Sequence, residues 1–268
     1  MLRDITLGQY YQTESTIHKL DPRVKLSGTI LFIISLFIAN NYIGYVVAAL
    51  FLAVVIKISK VPFKYMVKGM KSILVLLLLS VVLNMFITQG EPLFTIWKLT
   101  VTKEGLRLAG FMAVRLTFLV IGSSVMTLTT TPNNLTDGLE SLLKPLKAVK
   151  IPVHEVSMMM SIALRFIPIL LEETDKIMKA QIARGADFES GNLVKKAKSL
   201  VPLLVPLFIS AFRRANDLAM AMEARCYRGG EGRTKMKPLI YKRRDYLAYL
   251  ILLVYTIGLI YIGRFMAI

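Results

Sequence analysis

The chain has 268 residues, 55% of them apolar, a mean hydropathy of +0.58 and a formal net charge of +17. It is too hydrophobic for an ordinary globular protein and too charged to lie wholly within a membrane. Lysine and arginine beside apolar spans mark cytoplasmic retention by the positive-inside bias and argue against nucleic acid as a partner, while the single Cys226 excludes an intramolecular disulfide.

Residues 1–25 read as a cytoplasmic N-terminal segment. They have no apolar core of signal-peptide length and carry acidic residues unsuited to a transit peptide, so the first span must do its own targeting. Residues 26–56 are apolar except at Asn40-Asn41 and two glycines. One helix of that length would run about 46 Å, well beyond a hydrocarbon core of about 30 Å. Arg23 and Lys25 precede the stretch, and Lys57, Lys60 and Lys64 follow it. Only an even number of crossings keeps both clusters inside, so two helices turning at Asn40-Asn41 are expected.

Residues 72–88 then cross outward to the turn signal Gln89-Gly90-Glu91-Pro92. An external segment with Lys98 and Lys103 against Glu91 and Glu104 is charge-balanced, and residues 106–129 return inward. Arg115 lies within that span. An ionised residue there is costly and often functional, and structural pairing is favoured over a transport role. In Gly122-Ser123-Ser124 the small residues suit close helix packing.

The section 132–245 reads as a cytoplasmic helical domain. A helix starts at Thr131-Pro132, and Pro145 and Pro152 delimit short segments. Residues 151–171 are apolar enough to suggest a span, but His154, Glu155 and Arg165 lie within them and Pro168 would interrupt them. Residues 199–212 are too short to cross and contain Pro202 and Pro206, although a re-entrant dip by 201–209 stays open. Both stretches are expected to pack at the inner membrane face. Polar amphipathic helices are expected over 172–183, stopped by Gly185, and over 208–225. Residues 246–263, after Lys242-Arg243-Arg244, form a last span with the C-terminus outside. The expected protein is all-α and polytopic: a membrane domain of about four helices over 26–131, the cytoplasmic domain, and a C-terminal transmembrane helix over 246–268, about five spans in all.

Chemistry is sparse. His18 and His154 have no metal-ligand spacing to acidic partners, no phosphate-cradling GxxxxGK[ST] motif occurs, and no nucleophile has a matching His/Asp set. No catalytic, cofactor or metal residues are assigned, and the chain is not expected to be an enzyme. What stands out is a pair of triplets, Ala183-Arg184-Gly185 and Ala224-Arg225-Cys226, each closing a helical run. Aligning 166–185 with 207–226 places Glu172-Glu173 over Arg213-Arg214 and Arg184 over Arg225. The arginine fork suits carboxylates and backbone carbonyls, and the small flanking residues admit another chain's surface. Met158-Met159-Met160 and residues 220–222 add adaptable apolar surface.

These residues carry a family resemblance. Ser15-Thr16-Ile17-His18-Lys19-Leu20-Asp21-Pro22-Arg23-Val24-Lys25-Leu26 is similar to the S-x-x-H-x-L-D-P-R-x-K-L opening of the transmembrane T components of energy-coupling factor (ECF) transporters, a branch of ATP-binding-cassette importers. Ala163-Leu164-Arg165-Phe166-Ile167-Pro168 resembles their A-L-R-F-I-P segment, and the two triplets resemble their Ala-Arg signatures, with Cys226 a mild departure from serine or a similar small residue. The resemblance runs over essentially the whole chain. It implies a multi-pass protein of a bacterial cell membrane whose long cytoplasmic coupling helices cross as an X. The six triplet residues would dock on two ATP-binding-cassette ATPase subunits, and a separate S component would capture a vitamin or other micronutrient. The alternative is a substrate-translocating permease with its own binding site.

Overall fold

The computed structural model describes residues 10–39, 41–96, 99–188, 192–230, 232 and 234–265. The chain divides into two compact units, one of residues 8–141 and 239–268 and the other containing 142–238.

The first unit holds the apolar helices. Helix α1 (Pro22–Ile38) begins with Asp21 as its N-cap and Pro22 at its first position, where a missing N–H costs nothing. It ends at Ala39, and α2 (Tyr42–Ser59) starts from an Asn41 N-cap. The apolar stretch 26–56 is thus two helices, as expected; Asn40 lies outside the described residues. Helix α3 (Phe63–Ile87) follows, and then an antiparallel hairpin, β1 (Pro92–Ile96) and β2 (Leu99–Thr102), pairing Phe94 with Val101 and Ile96 with Leu99. The hairpin was not expected, although its alternating β-branched and aromatic residues are ordinary strand formers. Thr102 then caps α4 (Lys103–Thr129) by accepting the Gly105 N–H. After α5 (Pro132–Leu143) leads out of this unit, α8 (Arg243–Phe265) returns to it.

Helices α1, α2, α4 and α8 meet around Phe32, Leu36, Ala48, Leu52, Ile121, Val125, Tyr255 and Leu259. Gly122 lets the Phe32 ring approach so closely that a Cβ there would come within 2.6 Å of it, which bears out the close-packing role of this small residue. Inside the bundle the Ser35 and Tyr255 hydroxyls share a 3.0 Å hydrogen bond, so neither polar group is left orphaned. The outer faces stay apolar and exposed, for example at Val46, Leu50 and Val54 of α2 and Leu250, Val254 and Ile257 of α8, as a lipid environment demands.

The second unit is built on two long helices, α6 (Val153–Ala183) and α7 (Leu193–Ala224), preceded by a 3-10 turn over Lys144–Val149. The prolines correct the expected segmentation. α6 passes unbroken through Pro168, and α7 passes through both Pro202 and Pro206, so the expected apolar stretch 199–212 and the helix over 208–225 are one element. Each proline removes one N–H from the helical ladder; partners outside the helix can meet the freed carbonyls.

Four helices, α2, α4, α6 and α8, are long and apolar enough to cross a membrane, and the apolar part of α3, Ile73–Ile87, is shorter. Three of the four coincide with expected spans. α6 joins them by length and composition because Pro168 does not interrupt it, whereas α1, at 17 residues, lies at the short end of what spans a bilayer.

Candidate functional site: two arginine-tipped helices

Both Ala-Arg triplets end their helices in the same way. In α6 the C-cap is Arg184, and Gly185 follows with φ +88°; the Gly185 N–H bonds the Ile182 carbonyl at 2.9 Å and the Ala186 N–H reaches back to Gln181 at 2.9 Å. In α7 the C-cap is Arg225, and Cys226 follows with φ +55°; its N–H bonds Glu223 at 2.8 Å and the Tyr227 N–H bonds Met222 at 3.0 Å. This is the Schellman pattern twice over, a left-handed residue after the cap closing two orphan carbonyls. The six triplet residues Ala183, Arg184, Gly185, Ala224, Arg225 and Cys226 are all exposed. Each arginine therefore sits at the electronegative end of a helix of more than 30 residues. Neither guanidinium has an ion pair among the described residues, which leaves its fork of donors open to an incoming acceptor.

The two helices lie antiparallel. Near one end, the Tyr227 hydroxyl, just past the α7 tip, contacts the Met158 sulfur at 3.2 Å; near the other, Gln181 meets Pro202. Between them, Arg214 donates to Glu173 at 3.0 Å and the Ser210 hydroxyl donates to the same carboxylate. Apolar side chains including Ile162, Phe166, Leu170, Ala215 and Leu218 line the surrounding groove. Glu173 and Arg214 are equivalent positions of the sequence repeat, 41 residues apart, and they meet between those two end contacts. Arg184 lies 11 residues beyond Glu173 and Arg225 lies 11 residues beyond Arg214, about 16 Å of helix in each case. Because the helices are antiparallel, the two tips lie at opposite ends of the pair.

Repeat alignment located the tips but not the contacts that brace them. Pro206 cannot supply the N–H that would bond the Pro202 carbonyl, and the Gln181 side chain of α6 donates to that carbonyl at 3.2 Å. A glutamine on the neighbouring helix carries no sequence signal for such a role.

The N-terminal motif is a latch in the other unit. The His18 Nε2–H donates to the Tyr11 carbonyl at 3.0 Å while Nδ1 shares a 2.7 Å hydrogen bond with Ser15 Oγ. Burial pushes the His18 ring below its ordinary value; the Tyr11 carbonyl opposes that shift and the nearby Lys25 cation adds to it. Lys25 Nζ donates to the His18 and Thr129 carbonyls at 3.1 and 2.8 Å, closing the C-terminal end of α4. Arg23 grips the Asp21 carboxylate through two nitrogens, bonds the Leu239 carbonyl at 3.1 Å and lies 3.8 Å over the Tyr241 ring. Burial alone would raise the Asp21 carboxyl, but Arg23 holds it below the usual range. The buried Asp245 completes the knot, accepting the Asp21 N–H at 2.9 Å and the Lys242 N–H at 2.7 Å, the latter as the return arm of a capping box for α8. A motif that reads as a signature in sequence thus joins α1, α4 and α8.

Arg115 donates to the Tyr45 hydroxyl at 3.0 Å and lies 5.3 Å from the Phe37 ring centre, which is structural pairing. Among the described residues, no group of three or more His, Cys, Asp or Glu side chains is placed to hold a metal ion.

The chain matches the CbiQ family, described as cobalt transport protein, over residues 13–236. It is 60% identical over 257 residues to the "Energy-coupling factor transporter transmembrane protein EcfT" of Clostridium kluyveri, covering 95% of both chains. The protein of the same description from Thermosediminibacter oceani is 52% identical, covering 99% of this chain and 98% of that one, and that of Bacillus subtilis is 48% identical over 91% and 93%. Two matched C-caps, a knotted N-terminal motif and these likenesses meet in one conclusion: the chain belongs to the CbiQ family, among the transmembrane components of energy-coupling factor transporters.

Proposed function

We propose that this protein is the coupling subunit of an ECF-type importer in a bacterial cell membrane. Arg184 and Arg225, with Ala183, Gly185, Ala224 and Cys226 around them, dock on two cytoplasmic ATP-binding-cassette ATPase subunits. A separate S component captures the substrate, a vitamin or other micronutrient, and this chain relays ATPase movement to it without hydrolysing ATP itself. The N-terminal segment and residues 132–245 lie in the cytoplasm, with α6 and α7 at the inner face of the bilayer.

One observation carries this reading: two exposed arginines on identically capped helix ends, each 11 residues beyond its member of the Glu173–Arg214 pair. Two like tips suit two like partners, and unbroken helices without internal glycine between that pair and each tip can act as levers.

Affinity purification from native membranes tests it. The intact chain should bring down two ATPases and a small membrane protein. Arg184→Glu and Arg225→Glu should each weaken ATPase attachment, because reversing a charge in a desolvated contact costs on the order of 2–5 kcal/mol. The double variant should insert normally and lose both ATPases. Retention of both at wild-type stoichiometry would reduce these arginines to ordinary helix caps.

A further inference from the structure

A groove of about 890 Å³ opens between α2 and α4, lined by Tyr42 and Tyr45 on one side and by Lys103, Arg107, Phe111 and Val114 along one face of α4. Glu91 and Glu104 complete its polar end. The volume lies in the range of small-molecule sites. Two features set it apart. The first is a gradient of polarity along α4, from charge at Lys103, Glu104 and Arg107 to Phe111 and Val114, with about 16 Å of helix between Lys103 and Val114. That distance matches about half of a 30 Å hydrocarbon core. The apolar surface continues along α2 through the exposed Val46 and Leu50. The groove therefore has the shape and polarity of an amphiphile with its head at the membrane surface.

The second feature is the balance of charge. Two cations and two carboxylates line the polar end, yet among the described residues these four side chains form no ion pair with one another. Glu104 instead accepts the Glu91 backbone N–H at 2.9 Å, which fixes one carboxylate at the rim. The Arg107 guanidinium lies 5.6 Å from both the Tyr42 and the Phe111 ring centres, stacked where it can still present its donors to an anion.

We propose that this groove binds a zwitterionic phospholipid whose headgroup carries a primary amine, such as phosphatidylethanolamine. Its phosphate sits against Arg107 and Lys103, and its ammonium donates hydrogen bonds to Glu104 and Glu91. Its acyl chains follow Phe111, Val114 and the exposed face of α2. A purely anionic headgroup leaves both carboxylates facing negative charge. A choline headgroup cannot donate hydrogen bonds to them, and Arg107 already occupies the aromatic faces that would otherwise cradle a quaternary ammonium.

The placement of this lipid in the outer leaflet rests on the topology proposed above, but the binding itself does not, and the test reads binding alone. The full-length chain in detergent is equilibrated with an equimolar mixture of phosphatidylethanolamine, phosphatidylcholine and phosphatidylglycerol, and retained lipid is read by native mass spectrometry. The wild type should retain phosphatidylethanolamine at roughly tenfold excess over each competitor. Arg107→Gln should remove most of that retention, and Glu104→Gln should erase the preference over phosphatidylglycerol; both positions are exposed, and Glu91→Gln replaces Glu104→Gln should the latter not fold. Equal retention of the three lipids, or an unchanged preference in the variants, overturns the proposal.

Discussion

The Gln181 side chain donates to the Pro202 carbonyl at 3.2 Å across two helices, and that carbonyl is available because Pro206, four residues on, has no N–H to give it. The contact lies near the α6 tip, so it holds the end that carries Arg184 against α7. Gln181→Leu should lower stability by about 1 kcal/mol by removing this hydrogen bond. In a Pro206→Ala background, where the helix can satisfy its own carbonyl, the same substitution should cost little. Chemical unfolding of the four proteins in detergent gives the coupling directly; a coupling near zero would mean that solvent already satisfies the Pro202 carbonyl.

The Glu173–Arg214 pair between α6 and α7 should behave as a pin of modest strength. Its side chains are 23% and 39% exposed, so solvent screens it and breaking it should cost no more than about 1 kcal/mol. Glu173→Arg alone should lower substrate uptake per ATP hydrolysed in reconstituted vesicles, and the exchanged pair Glu173→Arg with Arg214→Glu should recover part of it. The absence of any recovery would assign the loss to Ser210 or to local packing.

Cys226 occupies a left-handed position that its α6 counterpart fills with glycine. A side chain there is strained by about 1 kcal/mol. Cys226→Gly should therefore tighten the α7 tip, slowing amide exchange at Tyr227 several-fold, while Gly185→Ala should speed exchange at Ala186. Docking of the ATPases should survive Cys226→Gly, since Arg225 is untouched. Unchanged exchange in both variants would show that tip order does not depend on this residue's backbone preference.

The N-terminal latch gives the protein a pH dependence. The folded His18 ring lies below its ordinary value of about 6.5, so the unfolded chain binds the extra proton first as pH falls. The stability it contributes is complete above about pH 6.5 and is lost as pH drops toward the folded value. Its near neighbours are Ser15, Lys25 and the Tyr10 ring, 5.8 Å away. Between about pH 7.5 and 5.5 the melting temperature of the wild type should fall more steeply than that of His18→Gln, whose side chain does not titrate. Parallel slopes would place the sensitivity in another group.

The class of this protein and the location of its tips can be read from short stretches of sequence. Apolar runs of bilayer length and the lysines that flank them are local properties, so the turn between α1 and α2 and the last span at α8 could be read from a few residues each. The Ala-Arg triplets were legible for the same reason: a helix end is decided by the residues that close it, and Gly185 announces its own left-handed turn. Contacts with partners distant in the chain, by contrast, appear only in the folded molecule. Prolines look like breaks in sequence, but α6 and α7 run through them because the helical hydrogen bonds on either side outweigh the one each proline removes, and Gln181 supplies a donor that no local rule could name. Asp245 shows the same limit. In sequence it is one acid after a basic triple; in the fold it meets the Asp21 N–H, 224 residues away, and makes the N-terminal motif a knot between helices. Hydrogen bonds between residues so far apart are chosen by the geometry of the packed helices, which exists only once the chain has folded.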